Sequence, residues 1–161
     1  MRISKLFIVI LLVFQVLGCA THANKDPLEN FNRAIYKFND VADGAVIKPI
    51  SKGYKNIAPT FVVKGVNNFF NNIRDVVTVI NELLQGKIEY AANDAGRILV
   101  NSTIGLLGFV DVHSMNGGER RKEDFGQTLG YWGVGQGAYL VLPFIGPSTT
   151  RDAVGFVTDT L

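Results

Sequence analysis

The residue types that carry chemistry are few in this chain, and their spacing argues against catalysis. Asp111, His113 and Ser114 are the three types of a hydrolytic triad. Three groups within four residues seldom converge on one reacting atom, so the sequence predicts no catalytic site there. Metal binding fares no better: the histidines are His22 and His113, the one cysteine is Cys19, and no ligand spacing links them. Gly126, Gly130, Gly133, Gly135 and Gly137 invite comparison with a nucleotide loop. Such a loop follows a buried strand and opens a helix, whereas the residues before these glycines are the charged run Glu119 to Asp124. Neither a Gly-x-x-x-x-Gly-Lys loop nor a Gly-x-Ser-x-Gly elbow occurs. The chain therefore reads as a non-enzyme without a metal or a soluble cofactor. The remaining reactive group is the Cys19 thiol, which has no second cysteine to pair with.

The residues around Cys19 say what that thiol is for. Arg2 and Lys5 are followed by an unbroken apolar run from Leu6 to Phe14, which is the order of an export signal. The run is short of the roughly 20 residues that span a bilayer, so a cleaved signal over residues 1–18 fits better than a retained anchor. Val16-Leu17-Gly18-Cys19 resembles the lipobox of bacterial lipoproteins, in which the thiol takes a diacylglycerol and the new amine an acyl chain. An ordinary exported protein with an unpaired cysteine is the plainer alternative, but a lipid on Cys19 accounts for a lone thiol where disulfides form. Removing Arg2 and Lys5 from the sixteen basic residues leaves fourteen, equal to the fourteen acidic ones. The mature chain is neutral, and the sequence pI near 8.7 gives no argument for nucleic acid. Residues 19–25 form a lipidated tether that holds the following domain within roughly 20 Å of its anchor. Ala20, rather than aspartate, directs a lipoprotein of this kind to the outer membrane.

Residues 26–161 read as mainly helical. Asp26, Pro27 and Glu29 mark a helix start, and Leu28, Phe31, Ile35, Phe38 and Ala42 recur on one face to about Asp43. Gly44 to Pro59 is expected to be an irregular connector, and Thr60 to Lys64 a brief extended stretch. The strongest helix is expected over Val66 to Gln85, closed by Gly86. Phe69, Phe70, Ile73, Val77, Ile80 and Leu84 form part of its apolar face, and Asn71, Asn72, Asp75, Asn81 and Glu82 part of its polar back. The apolar stripe packs in a soluble core or faces acyl chains, and the polar back meets water or headgroups. Ile88 to Val100 predicts a third helix, with Ala91, Ala92 and Ala95 on a face that allows close approach. The run Glu119 to Asp124 reads as a solvated, net-neutral loop. Phe125 to Gly137 holds too many glycines to be helical throughout and is expected to hinge or to pack backbones closely. Ala138 to Ile145 is expected to be extended, and Ser148 to cap a last helix from Thr149.

Three segments carry a family resemblance: DPLENFNRAIYKFND at 26–40, NSTIGLLGFVDV at 101–112, and DFGQTLGYWGVGQGAYLVLPFIGPSTTRD at 124–152. In this order behind a lipobox they resemble the MlaA, or VacJ, lipoproteins. The resemblance implies amphipathic helices lying in the membrane interface as part of a ring-shaped helical fold with a polar-lined passage. It implies a lipoprotein of the outer membrane's periplasmic leaflet, bound beside an outer-membrane porin trimer. Misplaced outer-leaflet phospholipids would pass through the ring to a periplasmic lipid carrier, which keeps the membrane's lipid asymmetry. On that reading the apolar stripes face acyl chains in part. Gly133 and Gly135 match the family's flexible loop beside the passage, and Ile35, Tyr36 and Phe38 match the first-helix segment near it, as lining or gating residues. Ala138 departs from the proline usual in the family. The family continues beyond the position of Leu161, which leaves a second expectation open: a lipid-anchored structural or binding module without transport activity.

Overall fold

A computed structural model describes residues 26–160. The signal, Cys19 and its tether lie outside the described residues. Among the described residues, seven α-helices and one two-stranded sheet follow in the order α1 (Glu29–Ala42), α2 (Lys48–Ile57), α3 (Thr60–Leu84), α4 (Ile88–Thr103), α5 (Val112–Met115), α6 (Phe125–Tyr131), β1 (Tyr139–Leu142), β2 (Gly146–Thr149) and α7 (Thr150–Thr160). A π-helical turn, Asp43–Ile47, joins α1 to α2. The architecture is mainly α, as the sequence predicts.

Two local expectations fail for the same reason. Gly44 to Pro59 is helical instead of irregular up to Ile57, and Thr60 to Lys64 opens α3 instead of forming a strand. Pro49 lies just after the π-helical turn that carries α1 into α2, where the helix absorbs the bond its missing N–H would have made. Pro59 caps α3 at φ −58°, so it starts that helix as it ends the previous one. The weak strand preference of Phe61, Val62 and Val63 yields to this entry geometry. Asp26 also acts one turn early: its carboxylate accepts from the Leu28 N–H at 3.0 Å and from the Asn32 side chain, and the helix proper begins at Glu29.

α3 and α4 form an antiparallel hairpin closed at Gly86, whose φ of +74° suits glycine. Its interior is polar. Asn72 donates to Ser102 at 2.8 Å, Asp75 pairs with Arg97 at 3.2 Å, and Asp75, Thr78, Asn81 and Glu82 of α3 are all buried. Asp94, Arg97 and Asn101 meet them from α4. The apolar side chains that are fully buried are small or few, namely Ala91, Ala138 and Val141 among the described residues. Meanwhile Phe70, Ile73, Val76, Ile80 and Leu83 of α3 lie about half exposed. The soluble-core reading of the stripe is thereby overturned. The polar back, read as wet, is what the protein buries.

α6 and α7 cross where two glycines meet: a Cβ on Gly155 would lie 2.3 Å from the Gly126 backbone nitrogen. This is the close packing expected of the glycine-rich stretch. Trp132 onward leaves the helix, and β1 pairs with β2 antiparallel, Tyr139 opposite Thr149 and Leu142 opposite Gly146. Ser148 falls in β2, and Thr149 caps α7 by accepting from the Asp152 N–H at 3.1 Å.

Replacing Arg97, which is 1% exposed between two aspartates, by methionine strands their charges in the interior. The expected loss is about 3–5 kcal/mol of stability. Thermal denaturation in detergent, compared with an exposed control such as Arg33→Met, measures it.

Candidate functional site

The polar interior runs beneath the outward apolar faces as neighbouring clusters around Asp75, Asp94 and Gln85. At its centre Asp75 is held by two guanidiniums, Arg97 at 3.2 Å and Arg120 at 2.8 Å. Arg97 also pairs with Asp111, whose carboxylate accepts from Asn101 at 2.9 Å and from the Ser114 N–H at 3.2 Å. Burial alone would raise Asp111, but the bonds from Ser114 and Asn101 and the charge of Arg97 outweigh it and hold the carboxyl below its ordinary value. Asp111 is thus spent on capping α5 and anchoring Arg97. Burial raises Asp75 in spite of its two arginines.

The run Glu119 to Asp124 is not the solvated loop its composition suggests. Arg120 reaches Asp75 and donates to the Asn71 carbonyl at 3.1 Å, while Arg121 lies 3.6 Å from Asp94 and 4.3 Å above the Tyr90 ring. Glu123 takes Lys87 at 2.7 Å and Gln85 at 3.0 Å. From Gln85 the chain of bonds passes to Thr128, then to Asn81, then to Asp159 of α7, which also accepts from the Phe125 N–H. α3, α4, α6 and α7 are therefore joined through side-chain polar groups.

Glu82 and Asp94 are the buried carboxyl pair of this system. Glu82 is fully buried and faces Asp94, and the carboxyl oxygens of both are shut off from solvent. Burial first, then the Asp94 charge and a hydrogen bond to it, push Glu82 up to about 7 from an ordinary 4.5. A raised carboxyl binds its proton more tightly folded than unfolded, so its stabilising contribution is complete below about 4.5 and is lost as pH rises through about 7. Glu82→Gln keeps the neutral form and a donor toward Asp94. Thermal denaturation between pH 4.5 and 8 should show a smaller fall with rising pH in this variant than in the parent chain. Equal slopes would remove the assignment.

The residues singled out from the sequence fall in a second region. Ile35 is half-buried in α1, while Tyr36 is 63% and Phe38 47% exposed. Phe38 stacks edge-on against Phe144 of the hairpin turn, with ring centres 5.1 Å apart. Gly133 and Gly135 lie exposed in the loop after α6, with open space where a Cβ would stand. Gly133 has a φ of +90°. Both ends of this loop are tied: Trp132 donates to the Leu84 carbonyl at 3.1 Å, and Arg151 and Thr150 of α7 bind the Gln136 and Ala138 carbonyls. The structure brings Phe38 to the hairpin but records no contact between Ile35 or Tyr36 and the two glycines. An open groove of ≈ 280 Å³ lies nearby between α3, α6 and α7, lined by Val77, Ile80, Leu84 and Phe125, with Asn81 and Asp159 on its polar side.

Asn32 and Asn39 were not singled out, yet they fix α1 on the hairpin. Asn32 donates to the Tyr139 carbonyl at 3.1 Å and accepts from the Val141 N–H at 2.8 Å. Asn39 repeats the pattern with Leu142 and Phe144 at 2.9 and 2.8 Å. Their seven-residue spacing on one helix face was the available signal.

The described residues define a mainly helical protein with its polar groups buried and its apolar faces outward, the distribution that marks an interaction surface. The MlaA lipoprotein family matches residues 24–161, and the chain belongs to it. It is 34% identical over 153 residues to the Escherichia coli protein named intermembrane phospholipid transport system lipoprotein MlaA, covering 89% of this chain and 61% of that one. It is 40% identical over 127 residues to an uncharacterised protein of Rickettsia prowazekii, covering 79% of this chain and 51% of the other. The chain thus spans about half to two thirds of the length of the curated relatives it matches. A structure solved to give the basis for maintenance of bacterial outer membrane lipid asymmetry matches with a TM-score of 0.74 at 32% identity, over 84% of this chain and 70% of that one.

Proposed function

We propose that this protein is an outer-membrane lipoprotein that removes misplaced phospholipids from the outer leaflet and passes them to a periplasmic lipid carrier. The inverted distribution of side chains carries the reading. Phe70, Ile73, Ile80 and Leu83 face outward from a hairpin whose interior holds Asp75, Glu82, Asp94 and Arg97. Fully burying one such apolar side chain is worth about 1.5–3 kcal/mol, a gain that water does not supply and acyl chains do. No helix among the described residues is long and apolar enough to cross a membrane. On this reading the helices lie in the interface, within the periplasmic leaflet.

In this reading Cys19 carries the diacylglycerol and acyl chain, and an outer-membrane porin trimer is the lateral partner. The tied loop holding Gly133 and Gly135 gates lipid passage, with Ile35, Tyr36 and Phe38 lining it from α1. The names of the characterised relatives describe transport and not catalysis. The chain's own part is to shelter a headgroup behind apolar walls, without breaking a bond.

Cells lacking the protein should accumulate outer-leaflet phospholipid and become detergent-sensitive, and normal asymmetry in them would overturn the proposal. Co-purification with the porin trimer or the carrier separates transport from a purely structural or binding role. Gly135→Pro tests the gate, because nothing crowds the position and its backbone φ is not in the left-handed region. Restoration of asymmetry should slow severalfold with expression intact. Gly133→Pro is the harsher change: it forbids the φ of +90° and removes the N–H that donates to the Gly130 carbonyl at 3.0 Å.

A further inference from the structure

The charges of this chain are unevenly placed. From Gly44 to Arg74 there are five basic residues, Lys48, Lys52, Lys55, Lys64 and Arg74, and no acidic one. Since the chain after residue 18 has fourteen of each sign, the rest of it holds nine bases against fourteen acids. The basic excess is concentrated on α2. Lys48, Lys52 and Lys55 stand at i, i+4 and i+7, one stripe of that helix, while Ile47, Ile50, Tyr54 and Ile57 stand at i, i+3, i+7 and i+10, another. No residue of α2 is buried, Ile50 is 66% and Ile57 84% exposed, and the helix packs chiefly against the π-helical turn that leads into it. Asp43 pairs with Lys48 at 2.8 Å, and Asp40 lies near enough to add to its charge stabilisation. Lys52 and Lys55 have no ion-pair partner among the described residues.

We propose that α2 is a basic interfacial arm that binds anionic phospholipid at the membrane surface, so that the protein prefers leaflet regions rich in that lipid. The inference rests on the interfacial reading above and adds a lipid charge class to it. An anionic bilayer supplies both complements at once: hydrocarbon for the isoleucine stripe and phosphates for the lysines, whose long stems let the ammonium groups reach the headgroup layer. An acidic protein surface would answer the lysines but leave Ile50 and Ile57 in water.

The test is binding of the full chain to phosphatidylcholine vesicles and to vesicles of phosphatidylcholine mixed with phosphatidylglycerol. The ratio of the two affinities cancels the contribution of the lipid anchor and of the general apolar faces. Each unpaired lysine near an anionic surface is worth about fivefold. Lys52 and Lys55 together thus predict a preference on the order of 20-fold for the anionic vesicles, weakened by salt. K48Q/K52Q/K55Q should abolish the preference, and K48R/K52R/K55R should keep it. Because the helix buries nothing, far-ultraviolet circular dichroism should be the same for all three chains. Equal binding of the parent chain to both vesicles overturns the proposal and leaves the interfacial reading standing. An unchanged ratio in the glutamine variant also overturns it, and loss of porin or carrier capture in that variant would then reassign the stripe to a protein surface. Failure to bind either vesicle sinks the interfacial reading and this inference with it.

Discussion

The contact on which the rest depends is the buried pair of Asp75 and Arg97 across the α3–α4 hairpin. Taking two charges out of water costs several kcal/mol for each ion, and their attraction repays this only with further bonds around them. Arg120, Asp111 and Asn101 provide those bonds, and each brings another piece of chain to the hairpin. The loop after α5 and the capping of α5 itself are thereby fixed from the inside. In a water-soluble protein this cluster would compete poorly with a packed hydrocarbon core. Under the proposed interfacial placement hydrocarbon lies outside, and the interior is left to directional polar bonds that specify one arrangement of helices.

That inversion explains which parts of the fold were legible in the sequence. The long helix from Val66, the Gly86 stop, the third helix and the end of helix within the glycine-rich stretch follow from periodicity and glycine placement, and all are present. Periodicity, however, identifies two faces without saying which one is inside. For α3 the usual assumption chooses wrongly, because Asn72, Asp75 and Glu82 look like surface residues until Arg97 and Arg121 are found opposite them. The charges of residues 119–124 misled similarly. Their sum is neutral, but Arg120 and Arg121 are bound inward to acids 45 and 27 positions away in the chain, and no local pattern records that.

The candidate gate was legible as a family resemblance and only partly as physics. Five glycines between Gly126 and Gly137 announce unusual backbone, yet they divide into two roles that composition cannot separate. Gly126 is buried at the α6–α7 crossing, whereas Gly133 and Gly135 stand in open space. Tying the loop at Trp132 and at Thr150 confines movement to the few residues between. A short span between fixed ends can be displaced only slightly and in a defined direction, which suits the proposed gate better than a long free loop would.

The two asparagines of α1 have a consequence of another kind. A two-stranded sheet is marginal in water and presents backbone groups on which a foreign strand can add. Asn32 offers an amide that mimics a passing peptide, binding the Tyr139 carbonyl and the Val141 N–H of β1, and Asn39 does the same for the Leu142 carbonyl and the Phe144 N–H at the turn. A helix thus plays the part of a third strand. The sheet is stopped from growing, and a chain with exposed apolar faces has one less template for misassembly.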